Sequence, residues 1–137
     1  MALTFSRREI FKMSGNATTI FGYNATVDID PYLIVKFGAN DYDVAIGAAS
    51  TDELVGVTGS VKTLSGQTCD VTEAGPAFVK LGGTVARGDL LTSDANGKAV
   101  VAAPGVGVNA RIVGIARVSG VAGDVIPMVV GIGRIQG

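Results

Sequence analysis

The sequence predicts an all-β fold, a small β-barrel or β-sandwich with an extended N-terminal arm. The 137-residue chain is 47% hydrophobic but only 6% aromatic, and its 20 glycines are about twice the average share. From Pro31 onward, Val-rich runs of strand length alternate with Gly, Asn and Asp, which are typical of tight turns. No run in this part has a persuasive helical period. These observations favour many short strands over helices.

The chain divides into two regions of different composition. Residues 1–30 are polar and mixed and are predicted to form an arm, whereas residues 31–137 are predicted to form one folded domain. In the arm, Ser6 and Glu9 match a helix capping box, in which each side chain bonds to the backbone amide of the other residue. A short helix is therefore one possibility, but an extended segment is the interpretation that we prefer.

Nine strands are predicted in residues 31–137, each bounded by turn residues. They span residues 33–37, 44–48, 54–61, 68–71, 77–81, 89–92, 98–102, 111–118 and 125–132. Asn96-Gly97 lies between two of them and predicts a β-hairpin, because both residues tolerate positive φ angles. The segments "LSGQT", "EAGP" and "SGVAG" predict further turns.

The tripeptide Arg87-Gly88-Asp89 has two interpretations. It matches a cell-adhesion ligand, but it also precedes a predicted strand, as Gly123-Asp124 does further along the chain. In both places Gly can supply an unusual φ angle and Asp can bond nearby amides. Three residues of such common types also recur by chance. We therefore predict a structural turn at both positions rather than an adhesion site.

The last two long strands are apolar on both faces, unlike a half-exposed strand of a monomer. One face is expected to line the core, and part of the other to meet a neighbouring subunit. The alternative is that this chain itself covers both faces, as in the middle of a two-layer sandwich. Pro127 fits an edge strand or a bulge. The predicted subunit-contact residues are Val113, Ile115, Ile126, Met128 and Val130.

Few residues suited to catalysis are present, and we expect a protein that is not an enzyme. There is no His, the commonest general base, and Cys69 without such a partner fits a small core residue. Asp28 with Asp30, and Asp41 with Asp43, have the spacing of strand residues on one face, but they lack the ligand count of a calcium loop. "GVGVNA" matches a dinucleotide fingerprint only superficially, because a β-type run follows it. No metal and no cofactor are therefore predicted.

Charge and targeting patterns limit the partners. The chain has 11 basic and 12 acidic residues and a net charge of −1, whereas general nucleic-acid binding needs a surplus of positive charge. The N-terminus lacks the apolar core of a signal peptide, and no apolar run is long enough to cross a bilayer. A single cysteine cannot form an internal disulfide. We expect a soluble protein made inside the cell, without nucleic-acid or membrane partners.

Three segments together carry a family resemblance. "LVGVTGSV", then "GTVARGDLLTSDANGKAVVAA", then "RIVGIARVSGVAGDVIPMVV" resembles the capsid decoration, or cement, proteins of tailed bacteriophages. The resemblance covers roughly residues 33–132 in pattern. The places shared with the family are Gly88-Asp89, Asn96-Gly97, Val113-Gly114-Ile115-Ala116 and Gly123-Asp124.

The resemblance implies a non-enzymatic protein that is made in the bacterial cytoplasm and binds the outside of the assembled, expanded phage head. Such proteins commonly sit as homotrimers at three-fold or quasi-three-fold points and bridge neighbouring copies of the major capsid protein. The polar arm suits a segment that folds or adds a strand on contact. The residues predicted to engage the capsid are Phe5, Arg7, Arg8, Ile10 and Phe11.

Two other functions remain open at this stage. The first is another β-rich phage structural component, such as a tail, baseplate or spike domain. The second is a carbohydrate- or host-surface-binding module. Sugar binding usually needs exposed aromatic rings for stacking, and this chain has no Trp and only three Tyr and five Phe.

Overall fold

The computed structural model describes residues 18–137, which form nine β-strands. The strands are β1 (Thr19–Ala25), β2 (Ile34–Phe37), β3 (Asp43–Ile46), β4 (Leu54–Thr58), β5 (Thr68–Lys80), β6 (Leu90–Ser93), β7 (Ala99–Val101), β8 (Asn109–Ala116) and β9 (Val125–Gln136). The predicted all-β fold class is confirmed. Within the same residues, no helix suited to crossing a membrane is found.

Five strands close into a barrel in the order β1-β3-β2-β4-β5, with β5 pairing back to β1. The β1–β3 pair is parallel, and the other four pairs are antiparallel. Small aliphatic side chains fill the interior, as a narrow barrel requires. The interior contains Ala25, Ile29, Leu33, Val35, Val44, Val55, Cys69 and Val71. The prediction that Cys69 is a small core residue is confirmed.

Strand β5 belongs to two parts of the structure. Its first half pairs with β1 and β4, and its second half pairs with β9. From there β9, β8, β6 and β7 continue in that order; these strands and the second half of β5 are here called the outer sheet. A second core joins barrel strands β2 and β4 to this sheet through Ile34, Leu54, Val57, Val79, Leu81, Leu91, Val113 and Met128. Strand β4 is therefore covered on both faces by its own chain.

The two Gly-Asp segments form a matched pair of turns, which confirms the prediction at both positions. Gly88 and Gly123 each have a φ of 93°, an angle that residues with a Cβ rarely adopt. In each turn the Asp Oδ2 accepts the backbone N–H three residues earlier, at 2.8 Å for Asp89 and 2.9 Å for Asp124. Arg87-Gly88-Asp89 is a corner of the fold.

These two turns are also tied to each other. Val85 and Gly120 exchange backbone hydrogen bonds of 2.9 and 3.1 Å between the segments that lead into the turns. The N–H of Gly88 donates to the carbonyl of Ala116, and the N–H of Gly123 donates to that of Leu81, both at 2.8 Å. The Gly-Asp pattern that the two segments share therefore corresponds to a repeated backbone arrangement.

Asn96-Gly97 lies in the β6–β7 hairpin, so the predicted hairpin is confirmed, but its turn differs from the expected one. Of the two residues only Gly97 has a positive φ, 75°. The N–H of Asp94 donates to the Lys98 carbonyl at 2.9 Å, and Asp94 Oδ1 accepts the amides of Asn96 and Lys98. Because the Asp94 side chain satisfies the turn amides, Asn96 keeps an ordinary backbone conformation.

The predicted strands 68–71 and 77–81 are one continuous strand, and the turn predicted at "EAGP" is wrong. Gly75 and Pro76 stay in register with β9. Lys80 donates its N–H to the Tyr32 carbonyl at 2.9 Å, away from β9. Pro76 lies four residues earlier in the strand, so its backbone nitrogen also points away from β9. Its missing N–H therefore removes no hydrogen bond from the β5–β9 ladder.

The structure also differs from the predicted arm of residues 1–30. Strand β1 lies inside that segment and closes the barrel. Ala25 and Ile29 are fully buried, and Ile29 forms an isolated antiparallel β-bridge with Thr63. Strand β1 is exposed along most of its length, and its exposed residues include Ile20 and Phe21. The predicted Ser6–Glu9 capping box falls in residues 1–17, outside the described residues.

Candidate interaction surfaces

The predicted subunit-contact residues fall on two different faces of the outer sheet. Val113, Ile126, Met128 and Val130 belong to the second core. Their burial corrects the prediction: alternation along β9 directs Ile126, Met128 and Val130 inward, and Val113 on β8 is fully buried as well, so none of the four is available to another subunit. Ile115 points the other way and is 45% exposed. The predicted capsid-contact residues lie outside the described residues; they are Phe5, Arg7, Arg8, Ile10 and Phe11.

The opposite side of the outer sheet carries an exposed apolar surface, here called the outer face, formed by Phe78, Ile115, Val125, Pro127 and Val129. In the ladder Phe78 lies opposite Pro127, and Ile115 lies opposite Val129. Phe78 is 54% exposed and Val125 is 42% exposed. Adjacent apolar side chains that remain open to water are typical of a contact surface.

The ring of Phe78 is held in place from one side. Tyr32 meets it edge to face, with ring centroids 6.5 Å apart and planes at 67°. Tyr32 itself has a φ of 64°, and its carbonyl accepts the N–H of Lys80. The most exposed aromatic residue of the outer face therefore has a fixed neighbour, which lowers the entropy that its ring would lose in a contact.

A second feature, here called the aromatic corner, is a concavity of about 450 Å³ lined by Tyr23, Phe37, Asn40, Asp41 and Tyr42, with Gly38 and Ala39. Strand β1 supplies Tyr23, strand β2 supplies Phe37, and the β2–β3 turn supplies the rest. The Tyr23 and Phe37 rings are 6.2 Å apart and nearly perpendicular, at 74°. Tyr42 is 76% exposed.

The β2–β3 turn fixes the position of Tyr42. Gly38 donates its N–H to the Asp43 carbonyl at 2.7 Å, and Asp43 donates its own to the Asn40 carbonyl at 3.2 Å. Between them Tyr42 has a φ of 65°, which is rare for a bulky side chain. The turn therefore holds a large ring out in solvent with a strained backbone.

Acidic groups surround the aromatic corner. The Tyr23 hydroxyl donates a hydrogen bond to the Glu73 carboxylate; burial and this carboxylate raise the pKa of Tyr23 to about 12. The two carboxylate oxygens of Asp43 accept the side-chain amides of Asn24 and Asn40, at 2.9 and 3.3 Å. The Asp41 carboxylate differs from these, because within residues 18–137 it has no hydrogen bond or ion pair.

The other residues considered for chemistry have structural roles. Asp28 Oδ1 accepts the N–H of Ser65 at 2.9 Å, and Asp30 lies 3.6 Å from the Lys62 ammonium. Burial raises the pKa of the Cys69 thiol, which disfavours its reactive thiolate. In the described part of the chain, no three His, Cys, Asp or Glu side chains are grouped to hold a metal ion.

The aromatic corner was not predicted from the sequence. Its rings come from β1, β2 and the β2–β3 turn. Tyr23 lies near the other two only because β1 and β2 both pair with β3. One local signal was available: Tyr42 lies between two aspartates in "NDYD", where a turn would leave a large ring exposed.

Comparison with known proteins gives a likeness among solved structures. No protein-family model matches the chain, and no curated protein matches it. Among solved structures, the chain is similar to the N base of the head fiber gp8.5 of bacteriophage phi29, with a TM-score of 0.62 and 18% identity. The match covers 84% of this chain and 95% of that chain. Over this span the two chains share a fold.

Proposed function

We propose that this protein is a structural component of a tailed-phage virion that binds the outer surface of the assembled head and bridges neighbouring capsid subunits. The observation that carries the proposal is the fold shared with a phage head fiber base, a likeness that covers nearly all of that chain. The resemblance of residues 33–132 to decoration proteins supports the same role.

A physical need for such a protein is clear. Packaged DNA pushes outward on a thin shell, and contacts added across the seams between capsid subunits raise the barrier to rupture. A symmetric assembly engages several capsid subunits at once, so that its avidity exceeds the affinity of one copy. This role requires surfaces and no catalytic groups, so the proposal includes that the protein is not an enzyme.

The outer face is the surface that we assign to contact between copies. Four of the residues predicted from the sequence are buried, whereas the outer face consists of side chains that water still reaches, chiefly Phe78, Ile115 and Val125. A closed ring buries such a patch repeatedly without leaving an unpaired copy at either end. We propose a homotrimer, with the major capsid protein as its partner.

The test uses phage heads assembled without this protein, after deletion of its gene. Purified protein added back should co-sediment with expanded heads, and cryo-electron microscopy should show added density on the outer surface at three-fold or quasi-three-fold points. Density on the tail or baseplate would overturn the head assignment in favour of another virion component. Absence of binding to any part of the particle would overturn the proposal altogether.

A truncated protein tests the predicted role of the N-terminal residues. Because β1 begins at Thr19 and closes the barrel, the deletion must end at Ala17 rather than at Asp30. We expect the truncated protein to keep the mass of the intact oligomer in solution and to lose binding to heads. Binding equal to that of the full chain would refute the assignment of Phe5, Arg7, Arg8, Ile10 and Phe11 to the capsid contact.

A further inference from the structure

We propose that the aromatic corner binds an arginine side chain presented by a partner protein. The aromatic corner is a different surface from the outer face and contains none of the N-terminal residues assigned to the capsid contact, so arginine binding does not require attachment to a phage head. Three properties of the corner favour an arginine: the arrangement of its rings, the strain that keeps one ring exposed, and the sign of the surrounding charge.

The rings form a corner rather than a flat platform. Tyr23 and Phe37 are nearly perpendicular, and the exposed Tyr42 lines the same concavity. Ring faces attract cations within about 6 Å of the centroid. A flat guanidinium can lie against one ring face while a second ring closes one side. This geometry suits a planar cation inserted from outside.

Strain at Tyr42 points to a function for its ring. The turn from Gly38 to Asp43 would be less strained with glycine at position 42, where the φ is 65°. The chain instead keeps a tyrosine there and exposes most of its apolar surface. Strained residues of this kind cluster at ligand-binding positions. The ring therefore gains nothing from the core and is available to a partner.

The charge around the corner favours a cation. The ionisable residues beside the rings are all acidic: Asp41 in the lining, Asp43 at its edge, and Glu73 bonded to the Tyr23 hydroxyl. No Lys or Arg is among the lining residues of this concavity. Asp43 and Glu73 have hydrogen-bond donors, whereas the Asp41 carboxylate has none within the described residues. A phosphate or another anion would be repelled, and a cation would be attracted.

Arginine fits these groups better than lysine or a neutral sugar. Its guanidinium is planar, stacks on aromatic faces, and presents paired N–H donors to a carboxylate such as that of Asp41. A lysine ammonium is more strongly hydrated and cannot stack. A neutral sugar could stack on the rings and bond to the Asp41 carboxylate, but the surrounding negative charge would not attract it. Arginine and a neutral sugar should therefore give distinct results in one experiment.

The experiment is an NMR titration of the intact protein with N-acetyl-argininamide, which carries one guanidinium. Its matched control is the citrulline derivative, in which a neutral urea replaces the guanidinium at nearly the same shape. Arginine should produce saturable shifts at Tyr42, Phe37 and Tyr23, and citrulline should bind about two- to fivefold more weakly or not at all. Equal binding of the two would overturn the proposal, as would saturable binding of methyl glucoside but not of arginine.

Two variants locate the site. Asp41→Asn should weaken arginine binding about two- to fivefold, whereas Asp70→Asn removes the same charge from an exposed position outside the corner and should leave binding unchanged. Tyr42→Gly removes the ring and fits the positive φ, so the fold should survive and arginine binding should be lost. Unchanged binding in Tyr42→Gly, or equal weakening by both Asp variants, would show that the corner is not the site.

Discussion

Replacing Phe78 with serine should weaken the proposed contact between copies by about 70-fold per contact. A whole Phe side chain buries about 150–250 Å², and Phe78 is 54% exposed in the single chain. Burial of the remaining area in an oligomer removes about 100 Å² of apolar surface from water. At about 25 cal/mol per Å² this amounts to about 2.5 kcal/mol, which corresponds to about 70-fold in affinity.

Sedimentation equilibrium across a range of protein concentrations measures this effect directly. The wild-type chain should sediment as a trimer at concentrations where Phe78→Ser sediments mainly as a monomer. Val106→Ser is the matched control, because Val106 is 98% exposed but lies in the loop before β8, away from the outer face. Circular dichroism should show a folded β-sheet protein in both variants.

Two outcomes would refute the assignment of the outer face. If Phe78→Ser assembles like the wild type, the ring is not part of the contact. If Val106→Ser weakens assembly as much as Phe78→Ser, loss of any exposed apolar group produces the effect and the outer face has no special role.

Three further predictions concern stability and ionisation. Gly114→Ala should lower the free energy of unfolding by about 1–3 kcal/mol, measured by urea titration, because an added Cβ would lie 2.1 Å from the Val129 carbonyl oxygen. Arg134→Glu should raise it by about 0.2–1 kcal/mol at low salt, because Arg134 lies directly opposite Arg111 and like charges in that position destabilise a sheet. The pKa of Tyr23 is raised from 10.0 to about 12. The stability that its protonated hydroxyl contributes is therefore complete below pH 10 and is lost as the pH rises from about 10 to about 12. In Tyr23→Phe, the free energy of unfolding should fall less steeply over this pH range.

Each of these predictions has a result that would contradict it. Gly131→Ala is the control for Gly114→Ala, because a Cβ there meets nothing within 4 Å; equal loss of stability in both would exclude the steric explanation. An Arg134→Glu protein that is less stable than the wild type at low salt would contradict repulsion between the two arginines. A Tyr23→Phe protein that loses stability above pH 10 as steeply as the wild type would show that another group titrates there.

The local features of this fold could be predicted from the sequence because they depend on residues close together in the chain. The Gly88-Asp89 and Gly123-Asp124 turns follow from one glycine and one carboxylate that bonds an amide three residues away. The fold class follows from strand-length apolar runs between such turns. Neither the turns nor the fold class depends on which strands pair with each other.

The predictions that were wrong or missing concern pairing between strands that are far apart in the sequence. Closure of the barrel requires β1 to pair with β5, about fifty residues later, and the exposed sequence of β1 gives no sign of it. An apolar pattern on both faces also cannot show what covers each face. In β4 the chain itself covers both, whereas in β9 it covers only the face of Ile126, Met128 and Val130. The aromatic corner was missed for the same reason, since Tyr23 and Phe37 meet only through the strand order.

The continuity of β5 has a mechanical consequence. Its hydrogen bonds run across the strand to β1 and β4 at one end and to β9 at the other. A pull along this strand would therefore shear many of those bonds together instead of opening them one after another. If partners bind the barrel and the outer sheet separately, part of the tension between them is carried along one continuous strand of thirteen residues, without a flexible joint.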